Sequence, residues 1–147
     1  MYYPYRIYKN RLLERRKRIL GVNSKGKRKL EHSGRTYYWN VQLDPEDYGQ
    51  TNLNIVSEDK KLVLSYNLGQ ANKNVRPFIV VKGLEFEGLD NYYRQGWVRV
   101  LTPYWDDNII TPGLVKTIIE WCLLKKDLLE LIDWRGEIQQ YSPKELQ

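Results

Sequence analysis

Cysteine and histidine each occur once in the 147 residues, as Cys122 and His32. A lone cysteine excludes an intramolecular disulfide and any multi-cysteine zinc site. A lone histidine excludes multi-histidine metal centres. Nucleophile-plus-base catalysis would depend on His32, which falls in a polar, glycine-bearing stretch rather than in a patterned element. The ten glycines form neither a Walker loop nor a G-x-G-x-x-G fingerprint, so nucleotide hydrolysis and dinucleotide redox chemistry are not expected. No cofactor and no metal are expected. Apolar runs are short, and none approaches the roughly 20 residues of a membrane-spanning helix. The basic start has no apolar stretch behind it, so a secretory signal is not expected either. A reduced, cytoplasmic setting is the default for such a chain.

Charge is plentiful and uneven. The chain holds 24 Lys plus Arg against 18 Asp plus Glu, a net +6. Residues 1–35 alone carry 12 basic groups and two acids, Glu14 and Glu31, and so stand at +10; the remainder stands at −4. Such asymmetry points to a polyanionic partner, nucleic acid first among them. The residues expected to contact it are Arg11, Arg15, Arg16, Lys17, Arg18, Lys25, Lys27, Arg28 and Lys29.

Apolar residues make up 41% of the chain, enough for one self-sufficient core. Residues 5–20 place Tyr5, Tyr8, Leu12 and Ile19 at helical spacing, which predicts a basic helix that Gly21 stops. Residues 21–35, with three glycines and a basic run, read as a linker. From residue 36 the period changes to two. Tyr37, Trp39, Val41 and Leu43 share one face before Asp44-Pro45 breaks the strand. Residues 53–56 and 61–68 read as a hairpin through Ser57-Glu58-Asp59-Lys60, and 78–81, 84–86 and 96–102 as further strands. Thr111-Pro112 opens a helix whose stripe is Leu114, Val115, Ile118, Ile119, Trp121 and Cys122. Lys125-Lys126-Asp127 predicts a bend or a fresh start, with the helix continuing to Gly136.

The fold expected is α+β: an antiparallel meander of five or six strands packed by a C-terminal helix, with the basic helix appended at the N-terminus. The expected division is 1–35 as basic helix and linker, and 36–147 as the α+β domain. In element order, strands closed by one helix, this is similar to pleckstrin-homology-like barrels.

Three carboxylate groupings occur: Asp44, Glu46 and Asp47; Glu85 and Glu87; Asp106 and Asp107. Glu46 followed by Glu58-Asp59-Lys60 mimics the acid…acid-x-lysine pattern of a nuclease superfamily, but the acid-x-lysine falls in a hairpin turn, so a carboxylate-dependent nuclease is the less favoured reading. Aromatics are many, with 12 Tyr and five Trp. Tyr92, Tyr93, Tyr104 and Trp105 have no evident interior place and form a candidate interface for a protein partner or a second copy. The sequence thus favours a non-enzymatic binding module whose basic arm contacts a polyanion. The alternative is a protein–protein interaction or oligomerisation module.

Overall fold

In the computed structural model, which describes residues 25–44, 49–73, 75–90, 92 and 96–143, eight strands follow one another as a single antiparallel meander. They are β1 (Arg28–His32), β2 (Arg35–Asp44), β3 (Gln50–Ser57), β4 (Val63–Asn67), β5 (Phe78–Val81), β6 (Val98–Leu101), β7 (Leu129–Ile132) and β8 (Ile138–Tyr141). Helix α1 (Pro112–Leu123) lies between β6 and β7. The sheet order is the chain order, so β1 and β8 are its two edges.

The expected α+β class, a meander of five or six strands packed by a C-terminal helix, is therefore corrected to a single eight-stranded antiparallel sheet with one short helix among the described residues, and that helix is internal to the strand order. The strands-then-helix order of pleckstrin-homology-like barrels is not followed. The basic N-terminal helix expected over residues 5–20 lies outside the described residues. The linker reading of 21–35 fails where it can be seen. Ser33 and Gly34 both take positive φ (51° and 77°), the conformation that a two-residue hairpin turn requires. That turn sets Leu30 opposite Tyr37 and carries Leu30 into the core.

The second correction concerns residues after Leu123. Leu124 is already extended, and the Lys126 ammonium donates to the Trp121 and Leu124 carbonyls. A cation on the last carbonyls satisfies the helix end and complements its dipole. Leu129 and Leu131 then point inward while Glu130 and Ile132 are half-buried on the other face, which is a strand period. Gly136, at φ 86°, closes a hairpin to β8 rather than a helix; the Asp133 carboxylate accepts from the Arg135 and Glu137 amides and shapes the turn. Residues 84–86 form no strand either. Phe86 instead plugs the core, fully buried.

Helix α1 begins as its sequence dictates. The Thr111 hydroxyl accepts from the Leu114 amide at 3.1 Å. Val115, Ile118, Ile119 and Cys122 are fully buried, in one cluster with Trp39, Ile55, Leu64, Val81 and Val100 of the sheet. Edge-to-face contacts run from Tyr66 to Trp105 (5.5 Å), on to Trp121 (5.7 Å) and on to Phe86 (5.8 Å), tying β4, two loops and α1 together. Val41 and Leu43, expected on the inner face, project beyond the core and are 43% and 59% exposed.

Candidate functional site

Strand β1 brings the end of the basic segment to an edge of the sheet as described. Arg28 and Lys29 are exposed there. Arg28 lies opposite Trp39 in the ladder, and its guanidinium sits 5.3 Å from the centre of that ring. Lys29 pairs with Glu31 at 3.5 Å, both side chains well solvated. Lys25 and Lys27 precede the strand, Lys25 exposed and Lys27 half-buried. Arg11, Arg15, Arg16, Lys17 and Arg18 lie outside the described residues.

Arg35 belongs to the same basic run but is absorbed by the fold. Its two terminal nitrogens donate to Glu85 at 3.0 and 2.9 Å, and one also approaches Asp59 at 3.5 Å. The Glu85 hydrogen bond raises the Arg35 pKa further. The guanidinium also sits 5.3 Å from the centre of the Tyr37 ring. It staples the start of β2 to the β3–β4 turn and to the segment after β5.

Glu85, Asp59, Asp106 and Asp107 are each engaged within the fold. Asp59 accepts from the Ser57 hydroxyl at 2.6 Å and from the Lys61 amide at 3.1 Å, which hold its pKa below the usual range. Lys60, at φ 63°, confirms that Glu58-Asp59-Lys60 forms a turn. Glu46 and Asp47 are outside the described residues. Asp107 is buried, and its carboxylate accepts from the Gly69 amide at 2.8 Å, fixing the turn after β4. Burial, with the Asp107 charge nearby, drives the Tyr66 phenol well above its ordinary pKa. Among the described residues no three His, Cys, Asp or Glu side chains converge as a metal site. No described helix is long and apolar enough to cross a membrane.

The candidate aromatic interface does not assemble as one patch. Trp105 is 8% exposed and sits in the core. Tyr92 is half-buried, edge-to-face with Tyr141 at 4.9 Å. Tyr104 is exposed, and Tyr93 is outside the described residues. The exposed tryptophans are instead Trp97 and Trp134, at 67% and 86%. Trp97 fell within the strand expected over 96–102 and lies just before β6. Trp134 was hidden by the helical reading of its turn.

Two hollows bear on function among the described residues. One is a groove of about 610 Å³ between the β1–β2 turn and α1, floored by Tyr37, Ile119, Trp121 and Leu123. At its rim His32 Nε2 meets Glu120 Oε2 at 3.0 Å, so the lone histidine faces a carboxylate. Cys122 is fully buried, and burial pushes its thiol up to about 12, far from a thiolate at neutral pH. The other hollow, about 380 Å³, lies on the outer face of β2 and β3 and is lined by Gln42, Leu43, Asp44, Asn52, Asn54 and Lys82. Sequence reading assigned nothing to it. Its signal was the run of outward amides in strands where amides are uncommon.

No known protein family matches this chain, and comparison with curated proteins and with solved structures finds no match.

Proposed function

We propose that the protein is a non-enzymatic binding module whose basic N-terminal segment engages a polyanion, with nucleic acid the best-fitting class. One observation carries the reading: +10 lies on residues 1–35 and −4 on the rest. Arg35 is taken by Glu85 and Asp59, which leaves +9 on residues 1–34. Several body acids are engaged by cations outside that stretch: Glu130 by Arg76, and Asp133 and Glu137 by Arg135. Edge strand β1 would deliver the cations at its own end to a backbone lying along the sheet edge.

The test is a binding titration of the full chain with a generic duplex and a generic single strand. If Arg15, Arg16, Lys17 and Arg18 each neutralise a phosphate, affinity falls about 100-fold between roughly 50 and 200 mM salt. Replacing those four by Gln removes most of the binding and flattens the salt dependence. Binding indifferent to both would refute the proposal. The alternative, a protein-interaction or oligomerisation module, draws on the exposed Trp134 and predicts a molar mass that rises with protein concentration.

A further inference from the structure

The outer face of the sheet carries a chemistry that the fold does not need. Across β2 and β3, Asn40 lies opposite Asn54 and Gln42 opposite Asn52. Across β3 and β4, Asn52 lies opposite Asn67 and Asn54 opposite Ser65. Three adjacent strands thus bear a contiguous block of amides and one hydroxyl. They alternate with the inward Trp39, Leu53, Ile55, Leu64 and Tyr66, so they point away from the core. Asparagine is depleted in strands because it packs poorly on a pleated surface. The face is only partly open to water, with Ser65 7% exposed and Asn40, Asn52 and Asn54 half-buried, and one built for stability would carry Thr, Val or Tyr there instead.

Two of these amides are also left unsatisfied. The side-chain oxygens of Asn40 and Asn52 are out of water and have no hydrogen-bond partner. A buried acceptor without a donor is destabilising, and structures tolerate few of them. Asn52, Asn54 and Gln42 line the hollow of about 380 Å³, a volume within the range of small-molecule sites.

The rest of the lining narrows the ligand. Leu43, one carboxylate, Asp44, and one ammonium, Lys82, complete the lining, so the hollow has one apolar side chain and no strong net charge. An anion such as a phosphate would meet the carboxylate. A purely apolar ligand would leave the amides unpaired. Each amide offers both donors and an acceptor, the complement of a hydroxyl, which is itself both. The Lys82 ammonium lies 4.4 Å from the centre of the Trp97 ring, which places an exposed indole beside the hollow. A sugar presents hydroxyls at its edge and an apolar C–H face, and so suits amides and a tryptophan together.

We propose that the outer face of β2–β4, with Asn52, Asn54, Gln42, Asp44 and Lys82 around the hollow and Trp97 at its margin, binds a neutral saccharide. The residues that line the hollow lie outside the basic stretch 1–35, and the proposal does not rest on the polyanion reading.

The first test needs no ligand. In the full chain, Asn40→Thr with Asn52→Thr removes two unsatisfied acceptors and restores strand propensity. If the amides are kept for a ligand, the melting temperature rises by about 3 °C or more. A fall of that size means that the amides serve the fold, and overturns the proposal. The second test screens the full chain on a neutral-glycan array, with calorimetric titration of maltohexaose, cellohexaose and chitohexaose, in salt high enough to suppress polyanion binding. Saturable binding is expected, weakened at least tenfold by Asn54→Thr and by Trp97→Ala with the fold intact. Binding to none of the probes, or binding untouched by both substitutions, overturns the site. So does a single-stranded oligonucleotide that these same substitutions displace.

Discussion

Truncating Ile118 tests whether α1 is a structural helix or a recognition helix. The residue is fully buried, on the face shared with Val115, Ile119 and Cys122. Ile118→Ala removes three carbons, which is about 2.4 kcal/mol of transfer free energy at 0.8 per methylene. The space left behind adds to that, because the surrounding sheet closes only in part, and buried isoleucine truncations cost about 2–5 kcal/mol. Alanine's better helix propensity returns about 0.4 kcal/mol. A net loss near 3 kcal/mol lowers the melting temperature by roughly 10 °C in a chain of this size. Thr117→Ala, one residue away and exposed, should move it by no more than about 2 °C. The assay is a circular-dichroism melt with light scattering on the same samples. An Ile118→Ala protein that melts within about 3 °C of wild type, yet has lost mass in light scattering, would refute a core role.

Three further outcomes follow from the same geometry. Cys122 should resist a chromogenic disulfide reagent at pH 8 in the native state and react fully in denaturant, because it is buried and its pKa stands at about 12; stoichiometric reaction of the native protein would contradict the packing. Gly83→Ala should destabilise by about 1–3 kcal/mol, read as a shift in urea midpoint at constant slope, because a Cβ there would lie 2.3 Å from the Lys61 carbonyl oxygen and 2.9 Å from the Val63 amide nitrogen. Asp59 and Glu130 both have lowered pKa values, through the Ser57 hydroxyl and the Arg76 guanidinium respectively, so the unfolded chain takes up their protons first on acidification. Their stabilisation is complete above their ordinary values of 3.8 and 4.5 and is lost as pH falls through the lower native ones. Asp59→Asn with Glu130→Gln should therefore melt lower than wild type at pH 7 and show a shallower acid decline, and an unchanged acid decline would sink that attribution.

Period and turn chemistry together explain what was legible. The core of β2 shows clean alternation, 78–81 is a short apolar run of strand length, and Thr111-Pro112 marks a helix start that the capping hydrogen bond makes good. The errors arise where one residue type serves two periods. In Leu128-Leu129-Glu130-Leu131-Ile132 the leucines satisfy helical spacing as well as alternation, and only the inward set of Leu129 and Leu131 tells them apart. Likewise Ser33-Gly34 and Asp133-Trp134-Arg135-Gly136 are hairpin signals, although glycine beside charge also reads as a linker or a helix stop. Lys126 looked like an interruption of an apolar stripe. It ends the helix, its ammonium lying over the Phe86 and Trp121 rings and on the last carbonyls. Tertiary contacts of this kind leave no periodic trace. The amide block on the outer face was visible residue by residue, but its contiguity depends on register across three strands.

The placement of β1 also decides how the basic segment can be studied. Its charges look detachable in sequence because they precede the first clean alternation. Yet Leu30 is 7% exposed within the core cluster, and Arg35 spans β2, the β3–β4 turn and Glu85. Deleting residues 1–35 would remove an edge strand, a core leucine and a three-way ion pair at once, so lost binding in such a variant would say nothing about charge. Lost stability would be equally uninformative about the helix expected at residues 5–20. Charge and fold separate only by substitution. Neutralising Arg15, Arg16, Lys17 and Arg18 leaves every described contact of β1 in place, whereas Leu30→Ala perturbs the edge strand without touching a cation. The two variants act on different terms, one on the salt-dependent phosphate contacts and one on apolar burial. Because the sites share no described contact, their effects on stability should be additive, and any coupling between them would mean that the basic segment packs against the edge it precedes.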